Sequence, residues 1–285
     1  MIDQAQRLRQ LVVDKDSITS KPRIITITSG KGGVGKSNLV VNLGIALQRN
    51  GKKVLIFDAD MGMGNDDVIM GFMPKYNVFD IISNNKEIEE VIITGPYGIK
   101  LLPGGSGLTK IDEITDTERE LFLSKLAGLN DLDYILMDTG AGINKDVLGF
   151  VACSEELIIL TTPEPTSLTD AYSLLKVINH FKLKTSAKVI INRTIEDKEG
   201  QLTFNKFNNA VWCFLKIKLE YLGSVAEDKK LTLAVRKQEP VMISYPNCEA
   251  SKGIVRIAEK LMCAEKVKSN LGVQDLFKKI FNIFS

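Results

Sequence analysis

The sequence of 285 residues predicts an α/β fold, a doubly wound and mostly parallel sheet with helices on both faces. Strand-like and helix-like patterns alternate along almost the whole chain, which is typical of repeated βαβ units. The strand-like runs are rich in β-branched and aliphatic residues, as expected for strands buried on both faces. A glycine-rich turn joins the first predicted strand to the first predicted helix, at the edge of the sheet where such folds bind ligands.

Seven segments are predicted as strands from their apolar runs, and five core helices from apolar residues that recur at helical spacing. The predicted strands are 23–28, 53–57, 99–102, 134–137, 156–161, 188–191 and 220–224. The predicted helices are 37–50, closed by Gly51, and 117–128, 167–181, 203–216 and 248–264. One large domain, 23–264, follows from these elements, with appendages at 1–22 and 265–285.

Composition excludes several function classes. A net charge of +2 is too balanced to argue by itself for bulk nucleic-acid binding, although local clusters can still matter. No sequence-specific nucleic acid is expected as a partner. The four cysteines lack any CxxC spacing, which favours buried reduced thiols over a metal site or a disulfide framework and indicates the cytoplasm. No apolar run approaches the roughly 18–20 residues needed to cross a bilayer. Membrane contact is therefore expected to be peripheral.

The glycine-rich turn has the residue types of a phosphate-binding loop. Its glycines let successive backbone N–H groups face phosphates, and the following helix N-terminus adds partial positive charge. Lys36 can reach the β- and γ-phosphates of ATP, and the Ser37 hydroxyl can ligate Mg²⁺. A chance glycine-rich turn is the alternative, but the flanking strand and helix argue against it. The predicted ATP-binding residues of this loop are Gly30, Lys31, Gly32, Gly33, Val34, Gly35, Lys36 and Ser37.

Aspartates follow two of the predicted strands. Asp58 and Asp60 come directly after strand 53–57, and Asp138 comes directly after strand 134–137. A carboxylate at the end of an apolar strand is unfavourable unless a cation needs it, and Mg²⁺ meets that need. Asp138 fits the Walker B position, which holds the metal through a water, and Gly142 would let the backbone approach the γ-phosphate. Capping of the following helices is the alternative role for these aspartates.

Lys31 is a second lysine at the start of the loop, and phosphate binding does not require it. With Lys31 the loop resembles the deviant Walker A motif, KGGxGK[ST], of the MinD/ParA/nitrogenase-iron-protein class of P-loop NTPases. The resemblance implies a homodimer formed with ATP, in which Lys31 reaches the partner's nucleotide. It also implies that Asp58 supports the metal and that Asp60 positions the attacking water, so that Lys31, Lys36 and Asp60 are the catalytic residues.

Two further segments that follow strands match the same class. Residues 161–167 resemble the TTPEPT segment of the MinD-like branch. The resemblance implies that Asn192 pairs with the adenine edge, because an amide offers both a donor and an acceptor. An ordinary turn asparagine is the alternative. Segment 61–67, MGMGNDD, departs from the more aliphatic sequence expected in this class.

The N-terminal segment predicts a short amphipathic helix followed by a polar linker over 14–22. It is either a cap on the domain or a helix offered to a partner. The segment resembles the DQAxxLR motif of the FlhG (FleN, YlxH) flagellar-number ATPases, in which it stimulates the GTPase FlhF. The residues that this resemblance assigns to partner binding are Asp3, Gln4, Ala5, Leu8 and Arg9.

The C-terminal segment, residues 273–284, predicts a helix with one strongly apolar face. Flanking lysines make it suited to the surface of an anionic membrane, as in the membrane-targeting tails of MinD and FlhG. A helix docked on the core or at a dimer contact is the alternative. The apolar residues expected to face the membrane are Leu276, Phe277, Ile280, Phe281 and Phe284.

These features together resemble an FlhG-type ATPase, which implies Mg²⁺-dependent ATP hydrolysis, reversible association with the cytoplasmic membrane, and control of flagellar number and placement. The partners it implies are an FlhF-type GTPase and flagellar C-ring proteins. A MinD-type division-site ATPase, a ParA-type partitioning ATPase and a non-hydrolysing GTPase-activating adaptor are the alternatives.

Overall fold

The computed structural model describes residues 21–60, 64–105, 114–129, 131–196, 198–264 and 271–284. The N-terminal residues assigned to a partner, Asp3, Gln4, Ala5, Leu8 and Arg9, lie outside the described residues, and so does the linker 265–270. The predictions made for these segments stay predictions.

The centre of the molecule is an eight-stranded sheet in the order β3-β4-β2-β5-β1-β6-β7-β8. Every neighbouring pair of strands is parallel except the edge pair β3 and β4. The strands are β1 Arg23–Ser29, β2 Val54–Ala59, β3 Ile93–Thr94, β4 Lys100–Leu102, β5 Tyr134–Ala141, β6 Glu156–Thr161, β7 Ser186–Thr194 and β8 Lys218–Ala226. The predicted doubly wound, mostly parallel fold is therefore confirmed, and all seven predicted strands are present.

The helices follow the strands in the order that the sequence predicts, with several short ones added. They are α1 Lys36–Arg49, α2 Asp66–Ile69, α3 Asp80–Ser83, α4 Ile88–Val91, α5 Asp116–Lys125, α6 Lys145–Cys153, α7 Pro165–His180, α8 Glu199–Leu215, α9 Lys229–Arg236, α10 Val241–Ser244, α11 Glu249–Cys263 and α12 Val273–Phe284. The edge strand β3 and the four-residue helices are not predicted, because so few residues cannot display a hydrophobic period. Helices α6 and α9, of nine and eight residues, are not predicted either.

Helices cover both faces of the sheet. Helices α1 and α11 pack on one face, where Leu43 and Ile257 are fully buried. Helices α7 and α8 pack on the other face, where Leu174 and Val211 are fully buried. Because both faces are covered, the central strands are mostly apolar, and charged groups concentrate toward the strand ends.

A network of buried ion pairs lies at the edge of the sheet at which β1 begins. Arg23 donates to both carboxylate oxygens of Glu156, at 2.6 and 2.8 Å, and to the Leu261 carbonyl at 2.7 Å. Lys188 lies 2.7 Å from the same carboxylate. Glu156 therefore joins the starts of β1, β6 and β7, and Arg23 links them to α11.

Helix α12 docks on the face of the sheet that also carries α6. Its residues Leu276, Phe277, Ile280 and Phe281 are between 0% and 5% exposed, and Phe284 is half-buried. The Phe277 ring lies 5.3 Å from that of Phe57 and 5.1 Å from that of Phe122.

The expectation that this apolar face contacts a membrane stays a prediction, but the face is not free in this conformation. The docked alternative describes it. The physical reason is that Phe57 and Phe122 form a complementary apolar groove for a face of this width, which a sequence pattern cannot reveal.

The cysteines are all free, as predicted, but only Cys153 and Cys248 are buried, whereas Cys213 and Cys263 are exposed. Across the described segments, no helix is both long and apolar enough to cross a membrane.

Candidate nucleotide site

The glycine-rich loop lies between β1 and α1, as predicted. Gly35 has φ 93°, a left-handed conformation that favours glycine, and a Cβ at this position would lie 2.5 Å from Nδ2 of Asn192. The Ser29 hydroxyl donates to the Lys31 carbonyl at 2.9 Å and fixes the start of the loop. Lys36 is the first residue of α1, so the helix N-terminus opens onto the loop.

Lys36 and Asp138 form a buried ion pair beside this loop, with 2.8 Å between Nζ and Oδ1. Asp138 lies in β5, next to β1 in the sheet, and its side chain is almost fully buried. Burial raises the pKa of Asp138, and the neighbouring Lys36 opposes that rise. The same carboxylate interacts with the Ser37 hydroxyl. The predicted phosphate lysine, metal hydroxyl and Walker B carboxylate are therefore brought together.

Asp58 lies beside Asp138, because the two residues are register partners in the neighbouring strands β2 and β5. Burial, and next the negative charge of Asp138, raise the pKa of Asp58 to about 7. Asp60 follows at the rim, where its backbone N–H donates to Asp58 at 3.2 Å. The second acidic motif thus lies at the same edge of the sheet as the loop.

Gly142 lies at the end of β5 with φ 92°. Its N–H donates to the Ser29 carbonyl at 2.9 Å, so in this conformation its donor is used within the protein. A role for this N–H at a γ-phosphate requires that bond to be exchanged.

Lys31 points out of the loop. Its Nζ lies 3.2 Å from the Glu164 carboxylate and 3.1 Å from the Thr166 hydroxyl, and its side chain is 40% exposed. Glu164 and Thr166 belong to segment 161–167, which the sequence singles out without giving these two side chains a role. Lys31 is therefore held at the rim of the site.

A cavity of about 370 Å³ opens beside the loop, large enough for a nucleoside. It is lined by Gly35, Asn192, Arg193 and residues 225–228 among others. Asn192 is 8% exposed and its Nδ2 donates to the Val34 carbonyl at 2.7 Å. Arg193 donates to the Gly33 carbonyl at 2.7 Å. The amide predicted to read adenine therefore lies at the cavity wall, where it also braces the loop.

Asp66 is a member of this site that the sequence analysis misses. It is fully buried at the start of α2, where the charges of Asp138, Asp58 and Lys36 act on it. The signal available in the sequence is an aspartate six residues after Asp60, in a segment whose residues do not fit the pattern expected there. No periodicity in a four-residue helix could have placed that side chain.

The donor atoms at this edge suit a magnesium ion. They are carboxylate and hydroxyl oxygens from Asp58, Asp138 and Ser37, the ligand type that Mg²⁺ prefers. Within the described parts of the chain, no three acidic, histidine or cysteine side chains are assembled in the geometry of a complete metal site. Oxygens from phosphate and water would have to complete the set, as is usual for Mg²⁺ bound with a nucleotide.

The chain is similar to known nucleotide-binding and flagellar proteins. A family model described as an AAA domain matches residues 22–191. The antiactivator FleN of Pseudomonas aeruginosa is 35% identical over 84% of this chain and 86% of its own. The flagellum site-determining protein YlxH of Helicobacter pylori is 34% identical over 98% of both chains.

A solved structure of the MinC:MinD cell division protein complex from Aquifex aeolicus is also similar. It aligns with a TM-score of 0.66 and 29% identity, covering 84% of this chain and 96% of that one. The aligned core thus has the fold that the strand order indicates.

Proposed function

The chain belongs to the family of FleN and YlxH, within the MinD/ParA-type P-loop ATPases, and from this we propose that it is an Mg²⁺-dependent ATPase that regulates flagellar number and placement. One observation carries the proposal. Lys36, at the end of the loop, forms a buried ion pair with Asp138, whereas the second lysine, Lys31, forms a partly exposed ion pair with Glu164. This arrangement provides one lysine for the protomer's own phosphates and one at the surface where a second protomer would bind.

Hydrolysis would be attack of water on the γ-phosphate, catalysed by positioning and by neutralising charge. Lys36 and the backbone N–H groups of the loop bind the phosphates. Mg²⁺, when bound, neutralises charge that develops on the β- and γ-phosphate oxygens. Ser37, Asp58 and Asp138 would hold the ion, directly or through water. Asp60 orients the attacking water from the rim.

ATP-driven dimerisation is the second part of the proposal. Lys31 exchanges Glu164 and Thr166 for the nucleotide of the partner, which both closes the partner's site and joins the two protomers. The side chain is 40% exposed and its ion pair is of the solvent-exposed kind, worth about 0–1 kcal/mol, so little free energy is needed to release it.

Membrane association is the third part, and it requires helix α12 to leave the core. The lysines that flank its apolar face, Lys278 and Lys279, suit an anionic headgroup layer. Undocking removes several large apolar side chains from the core, and this costs free energy. The cost offsets most of the free energy gained at the membrane, so one protomer would bind a membrane only weakly. Two tails held in one ATP-bound dimer would bind far better through effective concentration. Membrane binding is thereby tied to the dimer.

Partner regulation is the fourth part. The N-terminal segment, with Asp3, Gln4, Ala5, Leu8 and Arg9, is proposed to stimulate an FlhF-type GTPase, and C-ring proteins are proposed as further partners. The support is the sequence motif together with the likeness to FleN, called an antiactivator, and to YlxH, called a flagellum site-determining protein.

ATP turnover and vesicle sedimentation test the proposal together. We expect hydrolysis with Mg²⁺ and none with EDTA or in Lys36→Ala. We also expect sedimentation with anionic vesicles in ATP but not in ADP. A protein that binds ATP without turnover under any condition would instead be the adaptor alternative, whose nucleotide is only a structural latch.

A further inference from the structure

The Asp66 carboxylate is the least satisfied polar group near the nucleotide site. The residue is 0% exposed, and among the described residues neither of its side-chain oxygens receives a hydrogen bond. Its carboxyl lies beside that of Asp138, but two carboxylate groups can share a hydrogen bond only if one carries a proton. An ionised carboxylate in such a place is strongly disfavoured unless a cation neutralises it.

The backbone brings Asp66 to this position over a short path. After β2 the chain returns onto the Asp58 side chain at Gly64, where a Cβ would lie 2.0 Å from the Asp58 Oδ2 atom. Helix α2 then begins at Asp66 and directs its first side chain inward. A close approach that only glycine permits therefore leads to a third carboxylate beside Asp58 and Asp138.

The position does not need an acid for stability. An acidic residue in the first turn of a helix interacts favourably with the helix dipole from a solvent-exposed position, and Asp67 next in sequence is half-buried and already provides such a charge. The Asp66 carboxyl, by contrast, is 0% exposed and receives no hydrogen bond from the described residues. Without a cation, the buried carboxyl is therefore a cost to the fold.

We infer that Asp66 is a third carboxylate for the Mg²⁺ of the nucleotide complex, in addition to Asp58 and Asp138. The inference rests on the proposed function. The carboxyl groups of Asp58, Asp66 and Asp138 act on one another, and Asp60 adds a further negative charge. Lys36 supplies one positive charge beside Asp138, and a divalent cation would supply the positive charge that balances the remainder. Because an ionised Asp66 cannot share a hydrogen bond with the other two carboxylates, it acts on the ion through the negative potential that it adds to the site.

The test measures metal affinity rather than turnover. A fluorescent ADP analogue is titrated into the nucleotide-free protein with EDTA, and then Mg²⁺ is titrated into the complex. Asp66→Asn should raise the Mg²⁺ concentration for half-saturation by about 10-fold or more, the usual effect of losing such a supporting carboxylate. Its affinity for the analogue in EDTA should not weaken. Asp116→Asn, which removes a first-turn acid of helix α5 whose side chain is 98% exposed, should change the Mg²⁺ midpoint less than about 2-fold.

Thermal unfolding of the nucleotide-free variant distinguishes a loss of metal affinity from misfolding. The thermal midpoint of nucleotide-free Asp66→Asn should equal or exceed that of the wild type, because the variant removes an uncompensated buried acid. Equal Mg²⁺ midpoints for the wild type and a well-folded Asp66→Asn would overturn the inference and leave the proposed function intact. A wild type whose binding of the analogue is insensitive to Mg²⁺ would overturn the proposed Mg²⁺ dependence itself. An Asp66→Asn protein that melts well below the wild type would assign Asp66 a structural role and also overturn the inference.

Discussion

The Lys31 ammonium group lies 3.2 Å from the Glu164 carboxylate of the same protomer, outside the loop that Lys36 closes. The two lysines of the loop therefore occupy different environments, one half-exposed at the rim and the other buried against Asp138. Two lysines five residues apart could both have served one nucleotide. Because one lysine is half-exposed and the other is buried, two distinct roles are favoured.

Replacing each lysine in turn tests whether the two have different roles. Lys36→Ala should abolish ATP binding, because the phosphates lose their main countercharge and Asp138 is left as an unpaired buried carboxylate. Lys31→Ala should bind ATP within about 3-fold of the wild type, since only an exposed ion pair is lost, but should neither dimerise nor hydrolyse it. Nucleotide titration and analytical ultracentrifugation with ATP measure both properties. Normal ATP-driven dimers of Lys31→Ala would show that Lys31 has no role across the dimer.

Asp60→Ala should separate hydrolysis from binding. The variant removes the proposed orienting group for water but leaves the loop and the Lys36–Asp138 pair in place, so turnover should fall by about 100-fold or more. The ATP-bound dimer should then persist for longer than that of the wild type. Turnover is measured by phosphate release and dimer lifetime by size-exclusion chromatography. An Asp60→Ala protein that stays monomeric at saturating ATP would contradict the assignment.

The placement of most residues of the candidate nucleotide site could be predicted because they follow strands. Asp58 and Asp138 lie toward the carboxyl ends of parallel strands, and Lys36 begins the helix that follows β1, so all three lie at one edge of the sheet. The contacts of Lys31 and the burial of Asp66 could not be predicted in the same way. The contacts of Lys31 depend on how segment 161–167 packs beside the loop, and the burial of Asp66 depends on how helix α2 packs against the site. Such packing of short segments produces no periodic pattern in the sequence.

Phe277→Ala should destabilise the nucleotide-free protein by about 3–5 kcal/mol, the usual cost of emptying a buried phenylalanine site. The ring is 2% exposed and lies between Phe57 and Phe122. Lys278→Ala, on the exposed side of the same helix, should change stability by less than about 0.5 kcal/mol. Urea denaturation of both variants measures the difference. If Phe277→Ala unfolds at the wild-type urea midpoint, helix α12 is not docked in solution.

Helix α12 shows what an amphipathic pattern leaves undecided. The bounds of the helix are predicted correctly, and so are the residues of its apolar face, because both follow from a 3.6-residue period. What that face contacts depends on a groove formed by residues over 100 positions away, such as Phe57 and Phe150. A membrane and a groove of the core demand the same pattern, so the sequence alone could not distinguish them.

Glu156→Gln should lower the free energy of unfolding by about 3–5 kcal/mol at pH 7, because it leaves the buried Arg23 guanidinium without its carboxylate. Burial alone would raise the pKa of Glu156, but the hydrogen bonds and charges of Arg23 and Lys188 outweigh it and lower that pKa. A lowered pKa in the folded state adds stability above the unfolded value of about 4.3, and this stability is lost as the pH falls through the folded value. The difference between wild type and variant should therefore be constant from about pH 6 to 8 and shrink below about pH 4. Urea unfolding at each pH measures it, and a difference that grows on acidification would contradict the sign.

The N-terminal segment should act on a partner rather than on the core. Removal of residues 1–20 should leave ATP binding and dimerisation unchanged, because β1 begins only at Arg23. A peptide of residues 1–16 should bind an FlhF-type GTPase in its GTP-bound dimer and raise its hydrolysis rate.

Two substitutions in that peptide distinguish catalysis from binding. Gln4→Ala should weaken activation more than affinity, because an amide can orient the attacking water as the catalytic glutamine of other GTPases does. Leu8→Asp should weaken affinity itself, because it places a charge on the apolar stripe of the predicted helix. GTP turnover and peptide binding are measured side by side, since a peptide that binds without raising turnover would remove the activator role and favour a MinD-type division-site ATPase.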